Sequence, residues 1–160
     1  MKAFFILGFL LTICAHASAT SEVYTTQRGQ VFKKVPNDSF GVAWMAPDGS
    51  VWSQYQGTFS NQGTLASDTG VSVILKSEST EVCANIGGEL PSIEQFRTLA
   101  KYFEDTTEFQ ILFPFPESQN LFWTRDGIPG FARFAKLSPI LDPFGDLTSE
   151  TKKLAVMCIH

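Results

Sequence analysis

Three cysteines and two histidines are all the soft, reactive chemistry in this chain of 160 residues, and their positions decide what they can do. Cys14 and His16 lie in an N-terminal stretch read below as removable, which leaves Cys83, Cys158 and His160. A Ser-His-Asp or Cys-His arrangement needs an imidazole beside its nucleophile, and the remaining histidine sits at a chain end, which frays unless held. A metal site asks for three or four ligands, and one histidine with two cysteines lacking CxxC spacing falls short. Two cysteines in an exported chain most often pair. A bridge from Cys83 to Cys158 closes a loop of about 75 residues, which on chain-entropy grounds is worth roughly 4 kcal/mol. A nucleophilic or metal-binding thiol pair is the alternative, and the structural staple is favoured over it.

The carboxylates are more numerous and less informative. Asp and Glu total 16 against 12 Lys and Arg, for a formal charge of −4. A carboxylate pair for glycoside cleavage is formally available, but no spacing selects any two. Asp142, Asp146 and Glu150 form a loose set near the end of the chain. Calcium takes six to eight oxygens, so these three fit a solvated acidic loop better than a calcium site. No metal and no other cofactor is expected. The basic residues are scattered through an acidic chain, which argues against a nucleic-acid surface.

The elements that must position these residues begin with an export signal over residues 1–19. Lys2 supplies the positive end, residues 4–13 an apolar run, and Ala15 to Ala19 small residues for cleavage. The run is too short to cross a bilayer, so no transmembrane segment is expected. Ile13 before Cys14 argues against a lipoprotein. Cleavage after Ala19, or two residues earlier, leaves about 140 residues, one domain's worth.

Residues 20–39 read as a polar N-terminal arm with a short apolar element at 31–35, broken at Pro36-Asn37-Asp38. Residues 41–46 and 50–55 flank Pro47-Asp48-Gly49, a tight-turn sequence, and predict a hairpin. The polar, glycine-rich stretch 56–70 reads as a surface loop. A first helix is predicted over 77–87, with Val82, Cys83 and Ile86 on one face and the diglycine at Gly87 as its stop. The second is better marked: Ser92 as N-cap, Gln95 completing a capping box, then Ile93, Phe96, Leu99, Ala100 and Phe103 at helical spacing. Residues 109–116, rich in Phe and Pro, read as a loop. Strand composition returns at 121–124 and 131–136 around Arg125-Asp126-Gly127, and a final strand is predicted over 154–159.

The run Cys83-x-x-x-Gly87-Gly88-x-Leu90-Pro91-Ser92, the strand Phe122-Trp123-Thr124 and the final Val156-Met157-Cys158-Ile159 resemble the C-type-lectin-like superfamily. More closely, they are similar to the bacterial Lcl-type C-terminal domain. The resemblance covers residues 40–160, opening on Gly41-Val42-Ala43-Trp44. It implies an α+β fold: two helices flanking a twisted antiparallel sheet, termini close together, and one long disulfide from Cys83 on the first helix to Cys158 on the last strand. Calcium-dependent sugar binders of the superfamily carry Glu-Pro-Asn or Gln-Pro-Asp and a Trp-Asn-Asp strand. Neither occurs here, and Trp123-Thr124-Arg125-Asp126 puts a cation where a calcium ligand would stand. Formylglycine-generating enzymes share the fold, but their chemistry needs reactive cysteines, which the staple consumes.

The resemblance implies a recognition face built from the loops 109–117, 125–131 and 138–149. There Phe113, Phe115, Phe131 and Phe144 suggest an aromatic patch for a protein, a sugar or lipid, weighed against a role as core beneath long loops. Trp123 is a further candidate contact, although it, Trp44 and Trp52 fit the core and its rim better. Arg125 and Asp126 suggest a polar contact pair, or an ordinary turn. The expectation is a non-enzymatic bacterial recognition domain in the periplasm, at the surface or outside the cell, binding a protein or carbohydrate ligand without calcium. A carboxylate-dependent hydrolase and a structural envelope or fibre component are the competitors.

Overall fold

The computed structural model describes residues 22–37, 41–54, 64–65, 72–115, 120–128, 131–137, 144–149 and 153–160. The export signal over 1–19, with Cys14 and His16, lies outside the described residues, as do Asp142 and Glu150.

Among the described residues the chain forms an α+β fold of antiparallel sheets, three helices and one disulfide. β1 (Val23–Thr25), β2 (Val31–Asn37), β3 (Gly41–Met45) and β4 (Val51–Gln54) follow one another in a five-stranded sheet, completed on the far side of β4 by β11 (Met157–Ile159). β5 (Thr64–Leu65), β6 (Ser72–Ile74), β7 (Leu121–Ile128), β8 (Phe131–Lys136), β9 (Phe144–Ser149) and β10 (Leu154–Ala155) form a second sheet, ordered β5-β6-β10-β7-β8-β9. Between β6 and β7 the chain makes α1 (Lys76–Asn85), α2 (Ile93–Ala100) and α3 (Thr106–Leu112). Among the described residues every strand pair is antiparallel except β10 with β7.

Four expectations need correction. The segment 20–39 is, where described, not a loose arm but two strands of the first sheet, with Phe32 fully buried. Glu108, itself buried, fixes that hairpin by accepting the Gln27 and Glu104 amides. Pro36 does not break β2. The Lys34 N–H points to β1, bonding Glu22 at 2.8 Å, so the nitrogen of Pro36, two residues on, faces the same side beyond the ladder with β1 and forfeits no ladder bond.

The stretch 109–116, taken for a loop, is helical as far as Leu112. Asp105 caps it by accepting the Glu108 N–H at 2.8 Å, and Phe109 and Phe113, one helical turn apart, turn inward together. Finally, the strand predicted over 154–159 is split. β10 belongs to one sheet and β11 to the other, and because the chain passes between them Leu154 to Ile159 are all buried, giving a continuous apolar run instead of alternation.

The hairpin at Pro47-Asp48-Gly49 forms between β3 and β4, and Asp48 accepts the Ser50 amide at 3.0 Å and hydroxyl at 2.6 Å. Helix α1 ends as expected: Gly87 takes a φ of 76°, its N–H reaches the Ala84 carbonyl at 3.0 Å, and Gly88 N–H reaches Cys83 at 2.9 Å. α2 carries both bonds of its capping box, Ser92 Oγ from Gln95 N at 3.1 Å and Gln95 Oε1 from Ser92 N at 2.7 Å.

Two clusters fill the interior. The larger is aromatic, with Phe96 and Phe103 of the α2 region meeting Phe32, Phe109, Phe113, Phe115 and Phe122. The smaller surrounds the disulfide, with Val82, Leu90, Trp123, Leu154 and Val156 about Cys83 and Cys158. That bond joins Cα atoms 5.4 Å apart across 75 residues, tying α1 to β11.

Candidate functional site

The residues that sequence reasoning singled out separate into an inside and an outside group. Phe113, Phe115 and Trp123 are inside, at 1%, 3% and 0% exposure, so they belong to the core and offer no surface to a ligand. The Phe109 and Phe113 rings lie 5.1 Å apart, tilted to one another, and Gln54 Nε2 bonds the Pro114 carbonyl at 2.8 Å, holding the segment that follows α3 against β4. Trp123 lies in the disulfide cluster beneath the Lys76 ammonium, 5.9 Å from its ring. Phe144 opens β9 opposite Lys136, and its side chain lies outside what is described.

Arg125, Asp126 and Phe131 are at the surface and come together with residues the sequence did not single out. A groove of about 710 Å³ runs between the start of α2 and the β7–β8 hairpin, lined by Ile93, Glu94, Arg97, Arg125, Asp126, Gly127, Ile128 and Arg133. Asp126 builds its wall by accepting the Ile93 N–H at 2.7 Å, which adds a second acceptor to the α2 start beside Ser92. The Arg125 N–H bonds the Pro91 carbonyl at 3.0 Å, so β7 and the approach to α2 are joined at consecutive residues. The narrow neck of the hairpin needs glycine. A Cβ at Gly127 would stand 2.7 Å from the Phe131 carbonyl oxygen.

Charge in the groove is partly spent. Arg125 pairs with Glu89, and Arg97 with Glu94 one turn earlier on α2. Both pairs are exposed and therefore weak, within about 1 kcal/mol each. Arg133 makes no ion pair among the described residues. Beside it the outer face of the second sheet carries exposed apolar side chains. Ile128 pairs with Phe131 across β7 and β8, and Arg133 with Leu147 across β8 and β9, which puts all four side chains on one face. Ile128, Phe131 and Leu147 are 54%, 51% and 41% exposed. No protein-family model, curated protein or solved structure matches this chain.

Among the described residues β9 is an edge of this sheet, and it is closed to strand addition at one point. Arg133 turns its carbonyl toward β7, where Thr124 Oγ1 bonds it at 2.9 Å, so the Arg133–Leu147 pair exchanges no ladder bond and the Leu147 N–H points off β9. Asp146 takes that N–H at 2.7 Å, a device that blunts an exposed edge.

The remaining chemistry lies elsewhere. His160 is held, its N–H on the Val51 carbonyl at 3.0 Å and its Nε2 3.3 Å from Ser53 Oγ. Burial pushes its imidazole below the ordinary histidine range. Ser53 is fully buried, and the cleft beside His160 is lined by Ser50, Gly88, Glu89 and Gln95 but not by Ser53, so this pair presents no nucleophile to a cleft. Among the described residues no three His, Cys, Asp or Glu gather to hold a metal ion, and no helix is long and apolar enough to cross a membrane.

Sequence reasoning missed Arg97, Ile128, Arg133 and Leu147. The alternation Phe131-Ala132-Arg133 already put Phe131 and Arg133 on one face. Leu147 was hidden because 138–149 read as a loop, whereas residues 144–149 are a strand.

Proposed function

We propose that the chain is an exported, non-enzymatic recognition domain of C-type-lectin-like architecture. It binds a protein or glycan ligand in the periplasm, at the cell surface or outside the cell, through the groove between α2 and the β7–β8 hairpin. The observation that carries this reading is the exposed apolar face of Ile128, Phe131 and Leu147 beside an arginine-lined groove. Apolar side chains gathered on one face and rimmed by charge are the composition of an interaction surface. A cleft built for acid–base chemistry would keep a free carboxyl or imidazole, whereas Asp126 is committed to a helix amide and Glu94 to Arg97.

Export is supported by the charged, apolar and small-residue order of residues 1–19 and by the Cys83–Cys158 bond, which persists in oxidising compartments. The lectin-like architecture is supported by α1 being tied to the last strand, and by β11 lying in the same sheet as β1 and β2. The experiment is a glycan and protein array probed with the purified mature protein, with and without calcium. The expected result is a retained ligand that survives chelation. Binding abolished by chelation contradicts the calcium-free reading, and glycoside hydrolysis without binding contradicts the non-enzyme one.

A further inference from the structure

Resting on that reading, we infer that the groove takes an acidic, apolar-flanked peptide segment of a partner protein. The argument is charge complementarity. The chain as a whole carries −4, yet this one groove is lined by the three guanidinium groups of Arg97, Arg125 and Arg133 against the two carboxylates of Glu94 and Asp126. Arg133 has no counter-ion among the described residues, and Arg97 and Arg125 hold theirs in exposed pairs that an incoming carboxylate can replace. The start of α2 competes little for that carboxylate, because Ser92 and Asp126 already take the Gln95 and Ile93 amides.

The apolar side chains set what must flank the charge. Phe131 and Leu147 share the face of Arg133, so a carboxylate met by Arg133 carries its neighbouring residues onto a phenyl ring and a leucine. A glycan is the less favoured occupant. Among the described residues the groove lining has no Asn, Gln, Trp or Tyr, and its acids are engaged, which leaves few acceptors for pairs of sugar hydroxyls. Nor does the peptide extend β9 as a further strand there, since Asp146 holds the Leu147 N–H. The segment lies across the face and is read by its side chains.

The test is binding of fluorescein-labelled peptides to the purified, disulfide-intact protein by polarisation. One peptide alternates glutamate with leucine and phenylalanine, a second replaces every glutamate with lysine, and a sulfated hexasaccharide serves as the glycan arm. The expected result is that only the acidic peptide binds, that Arg133→Glu weakens it about tenfold or more, and that Phe131→Ser weakens it severalfold. Both positions are exposed, so both variants fold, which matching far-ultraviolet circular dichroism checks. Equal binding of the lysine peptide, or acidic-peptide binding unchanged in Arg133→Glu, overturns the inference. Hexasaccharide binding that both variants abolish, with no peptide bound, overturns it while leaving recognition at this groove intact. Ligands from the array that bind both variants as well as the parent overturn the groove itself.

Discussion

Two segments whose phenylalanines were candidates for a surface patch have opposite fates in this molecule. Residues 109–115 contribute Phe109, Phe113 and Phe115, all within the core, whereas residues 128–133 present Ile128, Phe131 and Arg133 to the outside. The difference comes from the period of the backbone and not from hydrophobicity. In α3 and the turn that follows it, residues four apart point the same way, and the shared direction of Phe109 and Phe113 is toward Phe103. In β8 the period is two, and Ala132 spends the inward position, so its neighbours face out. Counting aromatic residues in a loop therefore says little about a binding surface until the element beneath them is known.

The largest break of this comparison is Phe109→Ala. Phe109 touches three other rings, so its loss should cost about 3–5 kcal/mol in chemical denaturation, and a loss under about 1 kcal/mol would mean the segment is not core. Next comes Asp126→Ala, which removes the acceptor for Ile93 N–H and should cost about 1–2 kcal/mol in the same assay. An unchanged midpoint would detach the hairpin from α2.

A smaller effect belongs to Asp48, in the exposed turn between β3 and β4. Burial alone would raise its carboxyl, but bonds from the Ser50 hydroxyl and amide and from Tyr102 outweigh that and hold it below the usual range. A carboxyl lowered by folding adds stability that is complete above its unfolded value of 3.8 and is lost as the pH falls through the folded value. Unfolding free energies measured from about pH 6 down to about pH 2 should thus fall less steeply in Asp48→Asn than in the parent. Parallel curves would remove Asp48 from the account. Smallest of all is Phe131→Ala, which should change stability by no more than about 0.5 kcal/mol. A core-sized loss there would erase the contrast with Phe109.

Much of the framework was legible because its signals are local. Pro47-Asp48-Gly49 specifies its hairpin within three residues, Ser92 and Gln95 cap α2 within one turn, and Gly87 stops α1 through its own φ. α3 carried a comparable signal, Asp105 followed three residues later by Glu108, but the Phe and Pro content after it masked the start. The candidate site was legible only in part. Arg125 and Asp126 stood out as a polar pair, yet the task of Asp126 is to hold an amide 33 residues away. Leu147 joins Phe131 and Arg133 only through the pairing of β8 with β9, and no local pattern encodes that register. The split of the final strand between two sheets is non-local in the same way, since it depends on β6 and β4 as partners.

The central claim is that, among the described phenylalanines, the surface one is on β8 and not in the segment after α3. Fluorine NMR of protein labelled with 4-fluorophenylalanine, with each resonance assigned by a Phe→Leu substitution, reads this directly when a soluble paramagnetic chelate is added. The account predicts strong broadening of the Phe131 signal and protected signals from Phe109, Phe113 and Phe115. Broadening of Phe113 or Phe115 equal to that of Phe131 would contradict it and return the recognition face to the segment after α3.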